Sequence, residues 1–205
     1  ISRRMHAGIV GSGPAADAFR AACSDIDATV SDATPDDFGD FDFGAVVAPT
    51  GAAAFDEADD TARRWVAVEI GGLGGHVFPS LDAAVTVFDT DSATYADLRT
   101  RVAATSDGAT NESPTGDRSA VRLAGAVAGR RIVSLLAGDG VGGTVVEVPG
   151  GERRLLPVPD PTSRDRTLRR EFRDVQLQAS LGRAERAFDE RVGLIEQVGE
   201  RESFP

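Results

Sequence analysis

The sequence predicts an α/β domain in which a mostly parallel sheet is flanked by helices. A β-hairpin and a C-terminal helix–strand fragment follow it. Three observations carry this. The short apolar run His6–Val10 breaks at Gly11-Ser12-Gly13-Pro14 and gives way to helical spacing. Valine- and alanine-rich runs of strand length then alternate with stretches of helical period. Later in the chain a long small-residue helix precedes two strand-like runs around Pro149-Gly150-Gly151. A strand, a glycine turn and a helix at the start make the fold Rossmann-like.

Each element has a local reason. Pro14 suits the first turn of a helix, where its missing N–H costs nothing. Ala15–Cys23 continues that helix, with Ala15, Phe19 and Ala22 on one face. Ala28–Ser31 is a second strand, and the acidic connection 34–42 has room for one short helical turn. Gly44–Ala48 is apolar throughout and reads as a strand buried on both faces. Ala52–Arg63 is helical, Trp65–Ile70 is a fourth strand, and Gly71–Gly75 is a backbone-dominated loop. His76–Phe78 and Ala84–Phe88 are further short strands, and Tyr95–Ala104 is a helix. Residues 105–116 have the polar composition of a disordered loop.

Asp117 caps a long helix that runs to Ala137. Val121, Ala124, Ala128, Ile132 and Leu135 form its apolar face, and Gly138 stops it. Gly143–Val148 and Arg154–Val158 pair as an antiparallel hairpin. Residues 157–166 read as a linker. Thr167–Asp189 reads as a charged amphipathic helix and Arg191–Val198 as a strand.

Composition narrows the function classes. The chain of 205 residues has a net charge of −11, and all 22 of its fixed side-chain cations are arginine. Aspartate is twice as common as glutamate. Such a surface suits a salt-rich cytosol, where charges are closely screened, with compositional drift in a GC-rich genome as the alternative. A surplus of negative charge repels phosphates, so nucleic acid is not an expected partner. The single cysteine, Cys23, excludes an internal disulfide and a multi-cysteine zinc cage. No apolar run approaches a membrane span, so no membrane partner is expected and the cytoplasm is the expected location.

The sharpest chemical signal is Gly11-x-Gly13-x-x-Ala16 between a strand and a helix. The first glycine permits the tight turn, and the second lets backbone approach a phosphate. Small Ala16 allows close helix–strand packing. Free N–H groups at the helix start favour an anion. Asp32 sits where an acidic residue would hold a ribose hydroxyl. Gly11, Gly13, Ala16 and Asp32 are therefore the candidate cofactor-binding residues. The alternative is a tight turn that binds nothing.

The Gly71–Gly75 loop could line a cleft or serve as a packing turn. Glu69 is a candidate buried carboxylate, with a solvated one as the preferred reading. His6 and His76 read as ordinary hydrogen-bonded residues and Cys23 as a packed thiol. Arg164, Arg166, Arg169, Arg170 and Arg173 read as a solvated face, with a grip on an acidic peptide or phosphate as the alternative. No residue is assigned as catalytic or metal-binding.

Three stretches together resemble one family. GIVGSGPAADAFRAA resembles the start of a ThiF-like domain, the fold of ubiquitin-activating and sulfur-carrier-activating enzymes. VRLAGAVAGRRIVSLLAGD, followed by GTVVEVP and RRLLPVP, resembles the helix and strand pair that close that fold. SLGRAERAFDERVGLIEQV through ESFP resembles the beginning of a YcaO domain. This order is that of fused azoline-forming cyclodehydratases and their haloarchaeal relatives. The resemblance implies a ThiF-like domain over 1–160, and a linker with the truncated start of a YcaO domain over 161–205.

It also implies a function. The YcaO part would bind ATP and activate a peptide amide for cyclisation or thioamidation, in a region beyond Pro205. The ThiF-like part would recruit the precursor or target peptide and bind its own YcaO domain without itself catalysing; a homodimer is left open. ThiF-type adenylation needs a lysine near the phosphates, which this chain lacks, and no Asn-x-x-Arg-Gln stretch follows Asp32. The cysteine pairs of related domains are absent as well, their places taken by 94–99 and 159–163. The rival reading of the glycine turn is an NAD(P)-dependent oxidoreductase domain.

Overall fold

Valine and alanine runs too short for helices lie side by side as strands, each returning through a helix or a turn. The computed structural model describes residues 5–105 and 113–155. These belong to the first of the two units into which the chain divides, Ile1–Val158. The expected linker, the helix 167–189, the strand 191–198 and most of the polar loop lie outside the described residues.

The strands are β1 His6–Val10, β2 Thr29–Asp32, β3 Phe43–Pro49, β4 Trp65–Ile70, β5 Gly72–Leu73, β6 His76–Val77, β7 Ala83–Phe88, β8 Thr144–Val148 and β9 Glu152–Arg154. The helices are α1 Pro14–Ser24, α2 Ala54–Thr61, α3 Tyr95–Thr105 and α4 Arg118–Ala137, with a 3-10 helix at Pro35–Asp40. Seven strands form one sheet in the order β2-β1-β3-β4-β7-β8-β9, and β5 pairs with β6. β1 lies parallel between β2 and β3, and β3 lies parallel to β4. From β4 onward each neighbour is antiparallel. Five of the seven strands therefore point one way, and the fold is the expected α/β sheet with flanking helices.

Two apolar layers cover the sheet. On one face α1 and α4 press Phe19, Ala124, Ala128 and Ile132 against Ile9, Val66 and Val85. On the other, α2 and α3 bring Phe55, Tyr95 and Leu98 against Trp65, Ala67 and Phe88. Trp65 stacks on Phe88 with ring centroids 4.5 Å apart, and Tyr95 stacks on Phe55 at 5.4 Å. Such pairs add to the burial of their area.

The α1 face is built from small side chains. A Cβ on Gly125 would lie 2.0 Å from the Ala15 carbonyl oxygen, and one on Gly129 would lie 2.5 Å from the Ala22 Cβ. The helices can approach this closely because α4 carries glycine at both contacts. Asp117 starts α4 by accepting from the backbone N–H groups of Ser119 and Ala120, and Gly138 ends it in the left-handed conformation. The hairpin is tighter than the sequence suggests. Its second strand begins at Glu152, two residues before the expected Arg154, because Glu147 already donates to the Gly151 carbonyl; residues 156–158 of the expected strand lie outside the described residues.

Cys23 is buried within the α1 face. Burial pushes its thiol from its ordinary 9.0 up to about 11. At pH 8 that leaves about 100-fold less thiolate than in an ordinary cysteine. Alkylation of the native chain at pH 8 is accordingly expected to be slower by at least that factor than in guanidinium. Native-state labelling at the unfolded rate would contradict the packing.

Gly125→Ala forces a methyl into a backbone carbonyl and should cost about 1–3 kcal/mol or more. A Cβ on Gly39 would meet nothing within 4 Å. Gly39→Ala should stay within about 0.5 kcal/mol of wild type. Urea midpoints of the two variants compare them directly.

Candidate functional site

The turn between β1 and α1 is where the sequence places its site. Gly11 has φ +115, and a Cβ there would sit 2.0 Å from the Val47 carbonyl oxygen. Contact with β3 therefore demands glycine at this position. Gly13 has φ +91 and opens α1 with no side-chain cap, and a Cβ there would meet nothing within 4 Å. The second glycine thus leaves the helix start open to an approaching group. Ala16 is fully buried and lies against the sheet, as a close helix–strand contact requires.

Asp32 ends β2 opposite Ile9 and so shares the carboxyl end of the parallel strands with the turn. Its carboxylate is exposed and is taken by the Arg20 guanidinium from α1. The four expected residues thus share one end of the sheet. Gly11 and Gly13 form the turn, Ala16 lies in the first turn of α1, and Asp32 lies one strand away, on the edge, already paired.

A second polar cluster sits further along the same end. Glu69 is fully buried on β4, which corrects the expectation of a solvated carboxylate. β4 is an interior strand with both faces covered, so its last polar side chain has no route to water. Glu69 Oε1 accepts from Thr50 Oγ1 at 2.9 Å, Tyr95 Oη at 2.9 Å and the Gly75 N–H at 3.1 Å. Oε2 accepts from the Gly74 N–H at 2.8 Å.

Four donors thus surround one carboxylate. Burial raises its pKa, and the donors from Gly74, Gly75, Thr50 and Tyr95 pull it back. The same environment raises the Tyr95 hydroxyl, through burial first and the neighbouring Glu69 charge second. Gly71–Gly75 is therefore a packing turn anchored by Glu69. The carboxylate end of an apolar strand was a visible signal; Thr50 and Tyr95 gave none, because they come from distant segments. Beside the loop, Arg99 Nη1 grips both oxygens of Asp56 at 2.7 and 2.8 Å.

The histidine described in detail behaves as expected: His6 Nε2 bonds Ser31 Oγ at 2.9 Å. Four surface cavities are formed by described residues. The largest, about 720 Å³, is lined by Phe38, Phe41, Arg63 and Arg64 among others, before β3 and β4 begin and so at the end of the sheet away from the glycine turn. Others of about 400, 360 and 230 Å³ lie beside Asp89 and Arg154, beside Arg20 and Thr29, and beside Leu81 and Arg153. None of these four is lined by Gly11, Gly13 or Ala16.

The fold and the turn define a Rossmann-like α/β domain. No family model and no curated protein matches the chain. Among solved structures it is similar to a protein described as a heterocyclase in complex with substrate and cofactor, at 13% identity and a TM-score of 0.43. The match covers 75% of this chain and 24% of that one, so this chain spans about a quarter of the other protein's length. No helix among the described residues is long and apolar enough to cross a membrane.

Glu69 generates a pH prediction. Burial holds its folded-state pKa above its ordinary 4.5, so over that interval the folded chain keeps a proton that the unfolded chain has released. Its contribution to stability is complete below the unfolded value and is lost as pH rises through the folded one. Glu69→Gln removes the titration and leaves one of the four donors facing an amide N–H₂, a cost of about 1–3 kcal/mol. The stability gap between wild type and Glu69→Gln should therefore widen as pH falls from neutral towards 4.5. Urea melts across that range measure it, and a gap that narrows on acidification would show that the donors outweigh burial.

Proposed function

We propose that the described domain is a non-catalytic scaffold of ThiF-like type that recruits a substrate peptide for a YcaO-type, ATP-dependent peptide-modifying protein. In this reading the ATP site and the chemistry, azoline formation or thioamidation, belong to a YcaO domain that continues beyond the chain. The present domain holds the precursor or target peptide and its own YcaO neighbour. Residues 1–160 are the ThiF-like part and 161–205 lead into the next domain. The cell is haloarchaeal and the location cytoplasmic.

One observation carries the non-catalytic half of the reading. Asp32, the carboxylate that a ribose would need, is engaged by Arg20, in a chain with no lysine to meet nucleotide phosphates. Support for the family comes from the order of elements. A strand–turn–helix start is closed by the small-residue helix α4 lying along α1, and a hairpin then extends the sheet. The open Gly13 favours the rival, a dinucleotide at the turn formed by Gly11, Gly13 and Ala16 with Asp32 on the ribose.

The two readings separate in a paired experiment on the 205-residue chain. Calorimetric titration with a precursor peptide encoded beside its gene should give saturable binding. NAD, NADP and ATP at millimolar concentration should leave the melting temperature unchanged. A ligand present at 100 times its Kd would stabilise the fold by about 2.7 kcal/mol, which a thermal scan resolves. Stabilisation by NAD or NADP without peptide binding would replace the scaffold reading with the dehydrogenase one.

A further inference from the structure

Among the described residues, α4 is the most cationic element of an acidic chain. Over Arg118–Ala137 it carries Arg118, Arg122, Arg130 and Arg131 and no acidic residue. In the whole chain acidic side chains outnumber basic ones by 33 to 22. Elsewhere Arg20, Arg64, Arg99 and Arg153 each meet a carboxylate of their own domain. On α4 only Arg131 does so, at Glu152. Arg118, Arg122 and Arg130 make no ion pair among the described residues.

Apolar surface lies on the same side of the helix. Ala124, Ala128 and Ile132 turn towards the sheet, and Gly125 and Gly129 turn towards α1. The side left over carries Arg122, Leu123, Ala126 and Arg130, all exposed, with Val127 half-buried. Leu123 is 55% exposed, the only large apolar side chain so exposed among the described residues. Leu123, Ala126, Val127 and Arg130 are spaced i, i+3, i+4 and i+7, the seam along which one helix packs on another. Small Ala126 in its middle lets a second helix come close.

Charge and shape choose among the occupants. A second copy laid antiparallel on this seam would bring the arginines at 122 and 130 of the two chains together, and like charge opposes that pairing. A bilayer takes up a whole apolar helix face, and that of α4 is already spent on the sheet. A nucleic-acid backbone would set phosphates against Leu123, and the net charge of −11 repels it. We propose that the outer face of α4 is a docking surface for an acidic amphipathic helix of a partner protein. The apolar stripe of that helix covers Leu123, Ala126 and Val127, and its flanking carboxylates pair with Arg122 and Arg130. The surface serves whether or not the domain also recruits a substrate peptide.

The probe is a terminally blocked helical peptide of three Glu-Leu-Ala-Ala-Leu-Glu-Ala repeats, titrated into the full chain. Binding should be saturable, with methyl chemical-shift changes concentrated at Leu123 and Val127. Leu123→Ser should weaken it about tenfold, and Leu123→Met should restore it. Arg122→Glu combined with Arg130→Glu should abolish it. These positions are exposed, so the melts should match wild type. Arg63→Glu combined with Arg154→Glu makes the same change in net charge away from α4 and should leave the affinity unaltered.

Equal losses in the two double variants would reveal a general charge effect and overturn the docking face. Unaltered affinity in Leu123→Ser, or no binding to wild type, would overturn it as well. A free chain that dimerises with the same methyl shifts would give the face to a second copy instead. Phosphatidylglycerol vesicles that move those methyls would give it to a membrane, and either result sinks the acidic helix.

Discussion

The close approach of α4 to α1 is the constraint from which the rest of the domain follows. Gly125 lets the helices meet at the Ala15 carbonyl, and Gly129 lets them meet again at Ala22. With the helices in contact, one α/α pair covers β1, β4 and β7 together, and small core residues such as Ala7, Ala16 and Ala83 suffice beneath it. A chain poor in large side chains gains its dispersion energy through such backbone proximity, because many short contacts replace a few long side chains. Larger residues at these two helix positions would lift α4 from α1 and leave alanines facing a gap.

The opposite face solves a different problem. Trp65, Phe88, Phe55 and Tyr95 supply the bulk that the α1 face lacks. Tyr95 then serves twice, since its ring packs in that cluster and its hydroxyl donates to Glu69. The carboxylate is costly to bury alone, but four donors converge on it. Those donors come from β3's end, from α3 and from the loop after β4, so Glu69 ties three segments at the carboxyl edge of the sheet. Asp59 of α2 does comparable work at the start of α3, accepting from the Tyr95 and Ala96 N–H groups. Burial raises the Asp59 carboxyl, and those two bonds draw it back.

Periodicity made the elements legible. The strand runs, the α1 turn and the capped α4 helix all lie where local spacing places them, because each depends on residues near one another in sequence. The hairpin's second strand was harder: Arg153 and Arg154 are as polar as a turn, and only the Glu147–Gly151 bond fixes where pairing begins. Of the candidate site, the geometry of Gly11 and Gly13 could be read from the motif, but their separate reasons could not. Gly11 is required by Val47, 36 residues away in another strand, whereas Gly13 is open. The burial of Glu69 was illegible for a similar reason, since its partners Thr50 and Tyr95 meet it only once the sheet is assembled. The Arg20–Asp32 pair likewise depends on how α1 crosses β2.

The charge distribution completes the account of the edges. Exposed ion pairs add little to stability, and salt weakens them further. The pairs Arg64–Asp89, Arg99–Asp56 and Arg131–Glu152 therefore matter more for arrangement than for energy. They commit most of the nearby arginines to neighbours and leave the surface acidic overall. At the β2 edge Arg20 is committed to Asp32, so that edge ends in a neutral pair. At the β9 edge Glu147 and Glu152 engage Arg153 and Arg131, while Arg154 shares a cavity with Asp89 and Asp91 and makes no ion pair among the described residues. A short, charged edge resists pairing with a like-charged copy of itself.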